Sequence, residues 1–136
     1  MKRGLTKARN SLRDSIARAV KQSGLTHREL SRRSGVSDVQ ISNYVAGRKD
    51  INGEAATQLM SALGLIMRRG RARFEPWLGL RLTIQTAAER ARLDYAALAK
   101  LAGLPRETVY RYMRETNGIT TSRASRLLDA LEIEIT

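Results

Sequence analysis

Two stretches of this chain carry the same apolar and glycine pattern 68 positions apart. Moving residues 12–65 forward by that offset lays them on residues 80–133 without a gap, and pairs Leu12 with Leu80, Ile16 with Ile84, Leu30 with Leu98, Gly35 with Gly103, Ile41 with Val109, Tyr44 with Tyr112, Ile51 with Ile119 and Leu59 with Leu127. Agreement in both apolar spacing and glycine placement predicts two copies of one small helical unit of roughly 55 residues rather than a single 136-residue domain. A unit of that size buries only about 60% of its unfolded surface, so packing between the copies, or between chains, is expected to contribute.

Within the first copy, Leu12, Ile16, Ala19 and Val20 recur at helical steps and predict an amphipathic helix ending before Gly24. Thr26 with Glu29 forms a capping-box pattern opening a second helix to about Arg33, and Ser34-Gly35-Val36 makes a turn. Ser37 with Gln40 is a second such box, starting a helix that reaches Ala46 and stops at Gly47; Asn52 caps a fourth helix carrying Ala56, Leu59, Met60 and Leu63. The second copy keeps the plan with Asp94 for Thr26, Pro105 for Ser37 and Thr120 for Asn52 as helix starts, and with Asn117-Gly118 as the turn before its last helix. Short alternations at 65–68 and 131–135 have strand character and would pair as a two-stranded ribbon, within one chain or between two. The expected architecture is mainly all-α: tandem four-helix units with a short two-stranded β-ribbon.

The net charge of +12 makes polyanions the natural partners, nucleic acid ahead of membrane. More than half of it lies outside the copies. Lys2, Arg3, Lys7 and Arg9 give the arm at 1–11 a charge of +4, and Arg68, Arg69, Arg71 and Arg73 less Glu75 give the linker at 66–79 a charge of +3. Such an arm enters a minor groove or is simply solvated. The division expected is therefore arm 1–11, first unit 12–65, linker 66–79 and second unit 80–136. There is no cysteine and one histidine, His27, so thiol nucleophiles, disulfides and cysteine-based metal sites are excluded. No apolar run approaches membrane-spanning length and none follows the basic amino end as a secretory leader would require, so a cytoplasmic protein is expected. With no phosphate loop, no nucleophile beside a base and no metal-ligand spacing, neither an enzyme nor a cofactor or metal is expected.

A short helix, a glycine turn and a second helix opened by polar residues is the helix-turn-helix layout. The segment from Leu25 to Lys49 resembles the Cro and phage-repressor family, of the xenobiotic-response-element type, through Glu29-Leu30, Gly35-Val36-Ser37, Ile41-Ser42 and Gly47, with Ala62-Leu63-Gly64-Leu65 further on. The second copy is a more divergent likeness, with Ala97 for the glutamate, Glu115 for the terminal glycine and Glu132 for the last one. The resemblance implies a third helix lying in the major groove, with Ser37, Asp38, Val39, Gln40 and Asn43 toward base edges and His27, Arg28, Arg48 and Lys49 toward phosphate. Asn43 suits adenine, Val39 a thymine methyl, and Asp38 either cytosine N4 or the helix dipole alone. The matching positions in the second copy are Pro105, Arg106, Glu107, Thr108 and Arg111, with Tyr95 at the phosphate position. Arg106 or Arg111 would read guanine, or with Glu107 and Glu115 form an exposed face of paired charges.

Tyr44 and Tyr112 are expected in the core, and Trp77 with Phe74 and Pro76 is expected to seat the linker on a helix. The function implied is a sequence-specific regulator on double-stranded DNA, a repressor of a bacterium, phage or mobile element. A chain using both copies would prefer two unlike half-sites, and a palindrome would point to a homodimer. The alternative is an antitoxin or anti-activator whose second copy holds a protein partner. RNA has less support, because exposed aromatics are not clustered.

Overall fold

The computed structural model describes residues 10–114 and 118–136. The arm residues Lys2, Arg3, Lys7 and Arg9, together with Glu115 and Asn117, lie outside them. Among the described residues the chain forms α1 (Ser11–Ser23), α2 (His27–Ser34), α3 (Asp38–Val45) and α4 (Gly53–Leu63), strands β1 (Met67–Arg69) and β2 (Ala72–Phe74), a 3-10 turn (Pro76–Leu78), then α5 (Leu80–Arg90), α6 (Tyr95–Ala102), α7 (Arg106–Arg114), α8 (Thr121–Ala130) and β3 (Glu134–Ile135). The fold is all-α with one small antiparallel sheet, as the periodicity predicts. The sheet has three strands rather than two, in the order β2-β1-β3, because residues 72–74 fold back on β1.

Local chemistry accounts for the helix ends. Thr26 Oγ1 accepts from the Glu29 N–H (3.0 Å) while Glu29 Oε1 accepts from the Thr26 N–H (2.9 Å), closing the capping box. Those bonds hold the Glu29 carboxyl below its ordinary range, the Thr26 backbone N–H first among the causes. Ser37 accepts from the Gln40 N–H (3.1 Å), but the return half of that box is absent: the Gln40 carboxamide oxygen takes the Ser37 hydroxyl instead (3.4 Å). Gly35 closes α2 with φ 81°, a conformation a Cβ would oppose.

The two halves are interlocked. One hydrophobic cluster runs from Leu12, Ile16 and Leu30 through Ile84, Leu98 and Leu127 to Ile133, and α1 packs on α8 as closely as on α4. A buried polar seam ties that contact. Thr121 is fully buried, and its hydroxyl receives Asn10 Nδ2 (2.9 Å) and the Tyr44 hydroxyl (3.0 Å) while donating to Asp50 Oδ1. Ser125 donates to Asn10 Oδ1 (2.8 Å) and accepts from the Leu12 N–H (3.0 Å). In a low-dielectric interior each of these groups must be partnered, and each is.

Three expectations change. Thr120 stands at the start of α8 but its side chain does not cap; Asp50, from the first half, reaches across to accept from the Ser122 N–H (3.1 Å) at that helix end. Burial pushes the Asp50 carboxyl up, but hydrogen bonds from Thr121, Ser122 and Ile51 outweigh it and leave it below its ordinary range. Phe74 and Pro76 are buried against the core as expected, whereas Trp77 is 76% exposed: three residues per turn put Trp77 outward when Pro76 faces in. The segment 66–79 is largely structured, holding β1, β2 and the 3-10 turn, which rests on α4.

Candidate nucleic-acid interface

Helix α3 is seated by one face and bare on the other. Ile41 and Tyr44 are fully buried, and the Tyr44 hydroxyl is held up well above its ordinary range, chiefly by burial. Ser37, Asp38, Val39 and Gln40 are all exposed at the opposite, leading edge. Val39, an apolar residue 65% exposed on a helix that otherwise buries its hydrophobes, has no folding reason to be there. Half-buried Asn43 is oriented by Arg48, whose Nε donates to Asn43 Oδ1 (3.0 Å). The amide nitrogen is thereby turned away from Arg48, and Oδ1 keeps a second lone pair, the combination a bidentate contact with adenine needs. The backbone N–H groups of Arg48 and Lys49 both return to the Asn43 carbonyl (2.8 and 3.3 Å), folding these two exposed cations back beside the end of α3. His27 is half-buried and Arg28 exposed in the first turn of α2, where four helix-end amides add positive potential.

The matching face of α7 is arranged differently. Arg106, Glu107 and Arg111 are exposed, but Arg111 Nη2 lies 3.5 Å from Glu107 Oε2, a pair one helical turn apart. Thr108 is half-buried, and Pro105 is exposed just before the helix. Tyr95 packs edge-on against Tyr110 (5.6 Å between ring centres), and the Arg114 guanidinium lies over the Tyr110 ring (5.3 Å). Tyr110 and Arg114 did not emerge from the sequence reading. Their signal is the four-residue spacing of Arg106, Tyr110 and Arg114, which makes one stripe along an open cleft that these residues line with Pro105, Glu107 and Arg111. The far end of α7 is pinned by α5. Arg81 Nε donates to the Tyr112 carbonyl (2.6 Å) and sits over the Tyr112 ring (4.7 Å), and Gln85 Nε2 donates to the Met113 carbonyl (3.1 Å). Burial pushes the Tyr112 hydroxyl up to about 12, against the opposing pull of Arg81.

The linker cations divide. Arg69 donates to the Leu131 carbonyl (3.1 Å) and Arg73 pairs with Glu75 (2.9 Å), so both are engaged within the fold. Arg71 is exposed in the hairpin turn, and Arg68 is half-buried in β1. Among the described residues no group of three or more His, Asp or Glu side chains could hold a metal ion, and no helix is long and apolar enough to cross a membrane.

Residues 16–66, from the middle of α1 to the residue before β1, match the model of a family described as helix-turn-helix. No curated protein and no solved structure matches the chain. The geometry of α2, the Gly35 turn and the bare leading edge of α3 agrees with that match, and over residues 16–66 the chain is similar to the helix-turn-helix family.

Proposed function

We propose that the protein is a sequence-specific regulator on duplex DNA, acting as a repressor, with reading units at 12–65 and 80–136. The observation that carries this is the leading edge of α3: four consecutive exposed residues, one of them apolar, on a rigidly seated helix inside the matched segment. In this reading Asp38, Val39, Gln40 and Asn43 meet base edges, while Ser37 keeps its hydroxyl on the helix cap and joins the contact through its exposed surface. His27, Arg28, Arg48 and Lys49 meet phosphate, helped by Arg68, Arg71 and the basic arm. The second unit contributes Arg106, Arg111 and Thr108, with Glu107 restraining Arg111 until a guanine competes for it. Repression then follows from occupancy of a promoter.

For about eight phosphate contacts, raising salt from about 50 to about 200 mM should weaken binding by roughly four orders of magnitude. A flat salt response removes the reading.

One observation favours a second reading, in which the second unit also holds a protein. Leu101 on α6 is 61% exposed where the first half carries Arg33. Because α1 packs on α8, removing residues 80–136 would open the core of the first half, so the separating variant is Leu101→Arg. Loss of a co-purifying partner with unchanged DNA affinity supports this second reading.

A further inference from the structure

The offset of 68 and the backbone pairing, taken together, fix how the two halves are turned. Asn52 and Thr120 form an antiparallel bridge, and they are equivalent positions. Its two hydrogen bonds are Gly53 N–H to the Ile119 carbonyl (2.7 Å) and Thr121 N–H to the Ile51 carbonyl (3.0 Å). Exchanging every residue for its counterpart 68 positions away turns the first bond into the second. The same holds at the sheet. Met67 pairs with Ile135, again equivalent positions, and the exchange carries the flanking pair Arg68 with Glu134 onto Thr136 with Ile66, which are joined by reciprocal bonds of 2.9 and 3.0 Å.

An arrangement that maps onto itself when its halves are swapped is a two-fold rotation. Halves related by translation, as beads on a string, would never bring equivalent positions together antiparallel. The axis passes through two separate places, 52/120 and 67/135, and so is not one accidental contact, although the first helices follow it only in part: α1 packs closely on α8 and α4, whereas its counterpart α5 meets α4 and α8 less closely. Side chains depart from it: Gly53 leaves room for Leu80, whose Cδ2 would lie 2.7 Å from a Cβ there, while its counterpart Thr121 anchors the polar seam.

We infer that a single chain binds as its own dimer, reading two unlike half-sites in inverted orientation with α3 and α7, with no second copy required. This rests on the proposed binding of duplex DNA. Duplex DNA has local two-fold axes perpendicular to its length, and a two-fold protein docks by sharing one, which places its two reading helices on inverted half-sites. Direct repeats would suit only halves related by translation. Since α3 carries Asp38, Val39, Gln40 and Asn43 where α7 carries Arg106, Glu107, Thr108 and Arg111, the half-sites differ in sequence while keeping inverted order.

The test begins with bound sequences selected from random duplexes, with each half-site assigned to its helix through Asn43→Ala and Arg111→Ala. The selected duplex is then compared with one in which a single half-site is turned round at the same spacing, and chains per duplex are counted by native mass spectrometry. One chain on the inverted site, and affinity lower by roughly 10²- to 10⁴-fold on the direct version, is the expected result, since only one half can then engage at a time. Equal affinities, preference for the direct order, or two chains on the inverted site would overturn the inference while leaving DNA binding intact. Absence of binding to any duplex at low salt overturns both. A separate reading of the axis needs no DNA: the chain has no cysteine, so the doubly substituted Asn52→Cys, Thr120→Cys protein, oxidised with diamide, should form an intrachain disulfide as a monomer, and disulfide-linked dimers in its place would refute the axis.

Discussion

The two halves share a plan, yet they differ in what their equivalent residues do. In the first half, glycines occupy the left-handed positions that end helices, Gly24 at φ 73° and Gly64 at φ 73°. In the second, the same positions hold Arg92 at φ 60° and Glu132 at φ 57°. A side chain there costs roughly 1–2 kcal/mol by crowding the following carbonyl. The exposed faces of α3 and α7 differ in the same direction. The first has bare polar residues and one orienting bond from Arg48 to Asn43, whereas the second has Arg111 beside Glu107 and Tyr95 packed edge-on against Tyr110. A backbone plan thus tolerates wide change in surface chemistry, provided that the buried stripe, Leu30 with Leu98 and Tyr44 with Tyr112, is kept.

The largest expected effect tests whether the halves are separable. Leu30→Ala and Leu98→Ala each empty a fully buried site and should each cost about 2–5 kcal/mol. Since α1 and α8 share one core, urea unfolding followed both by helix signal and by amide hydrogen exchange in each half should show one coincident transition in either variant. Two transitions, one for each half, would break the interlocked picture. Next comes the reading face: Asn43→Ala should lose about 1–3 kcal/mol on the preferred duplex and little on random DNA. Arg111→Ala should lose less, because the residue gives up its Glu107 contact to bind; equal losses would mean that the two faces are equally prepared.

A smaller difference separates the equivalent tyrosines. Tyr44→Phe removes the buried bond to Thr121 and should cost about 1 kcal/mol by thermal or urea unfolding. Tyr112→Phe should stay within about 0.5 kcal/mol, its hold on α5 being the Arg81 contact with its carbonyl and ring. Relieving the left-handed positions should stabilise, with Arg92→Gly and Glu132→Gly each gaining up to about 1 kcal/mol after the entropy of the freer unfolded chain is subtracted. The smallest effect is in pH. The folded Asp50 carboxyl titrates below its unfolded range, so its contribution is complete above the unfolded pKa, near 3.8, and is lost as pH falls through the lower folded value. Asp50→Asn should flatten that part of the acid unfolding curve.

Much of this was legible because it is local. Thr26-x-x-Glu29, Ser34-Gly35-Val36 and the apolar steps of α1 and α4 act within one or two turns of chain, and the structure keeps each of them. The exposed edge from Ser37 to Gln40 follows from the same reasoning, since helical spacing puts Ile41 and Tyr44 inward. What was hidden depends on partners far away in sequence. An offset of 68 says which residues are alike, not whether the halves stand apart or clasp, so neither the packing of α1 on α8 nor the cap that Asp50 places on α8 could be read from it. Residues 72–74, Ala-Arg-Phe, are too few and too polar to announce a strand; only the pairing of Met67 with Phe74 reveals it. Trp77 misled because its apolar neighbours are buried and a 3-10 turn does not share one face among three consecutive residues.

In the proposed function the leading edge of α3 enters a DNA groove. Because the chain is free of cysteine, Val39→Cys provides one attachment point for a DNA-cleaving iron chelate at that edge. Cleavage of the bound duplex confined to a few nucleotides within one half-site is the result expected. Tight binding with no cleavage, or with cuts scattered along the duplex, would contradict it.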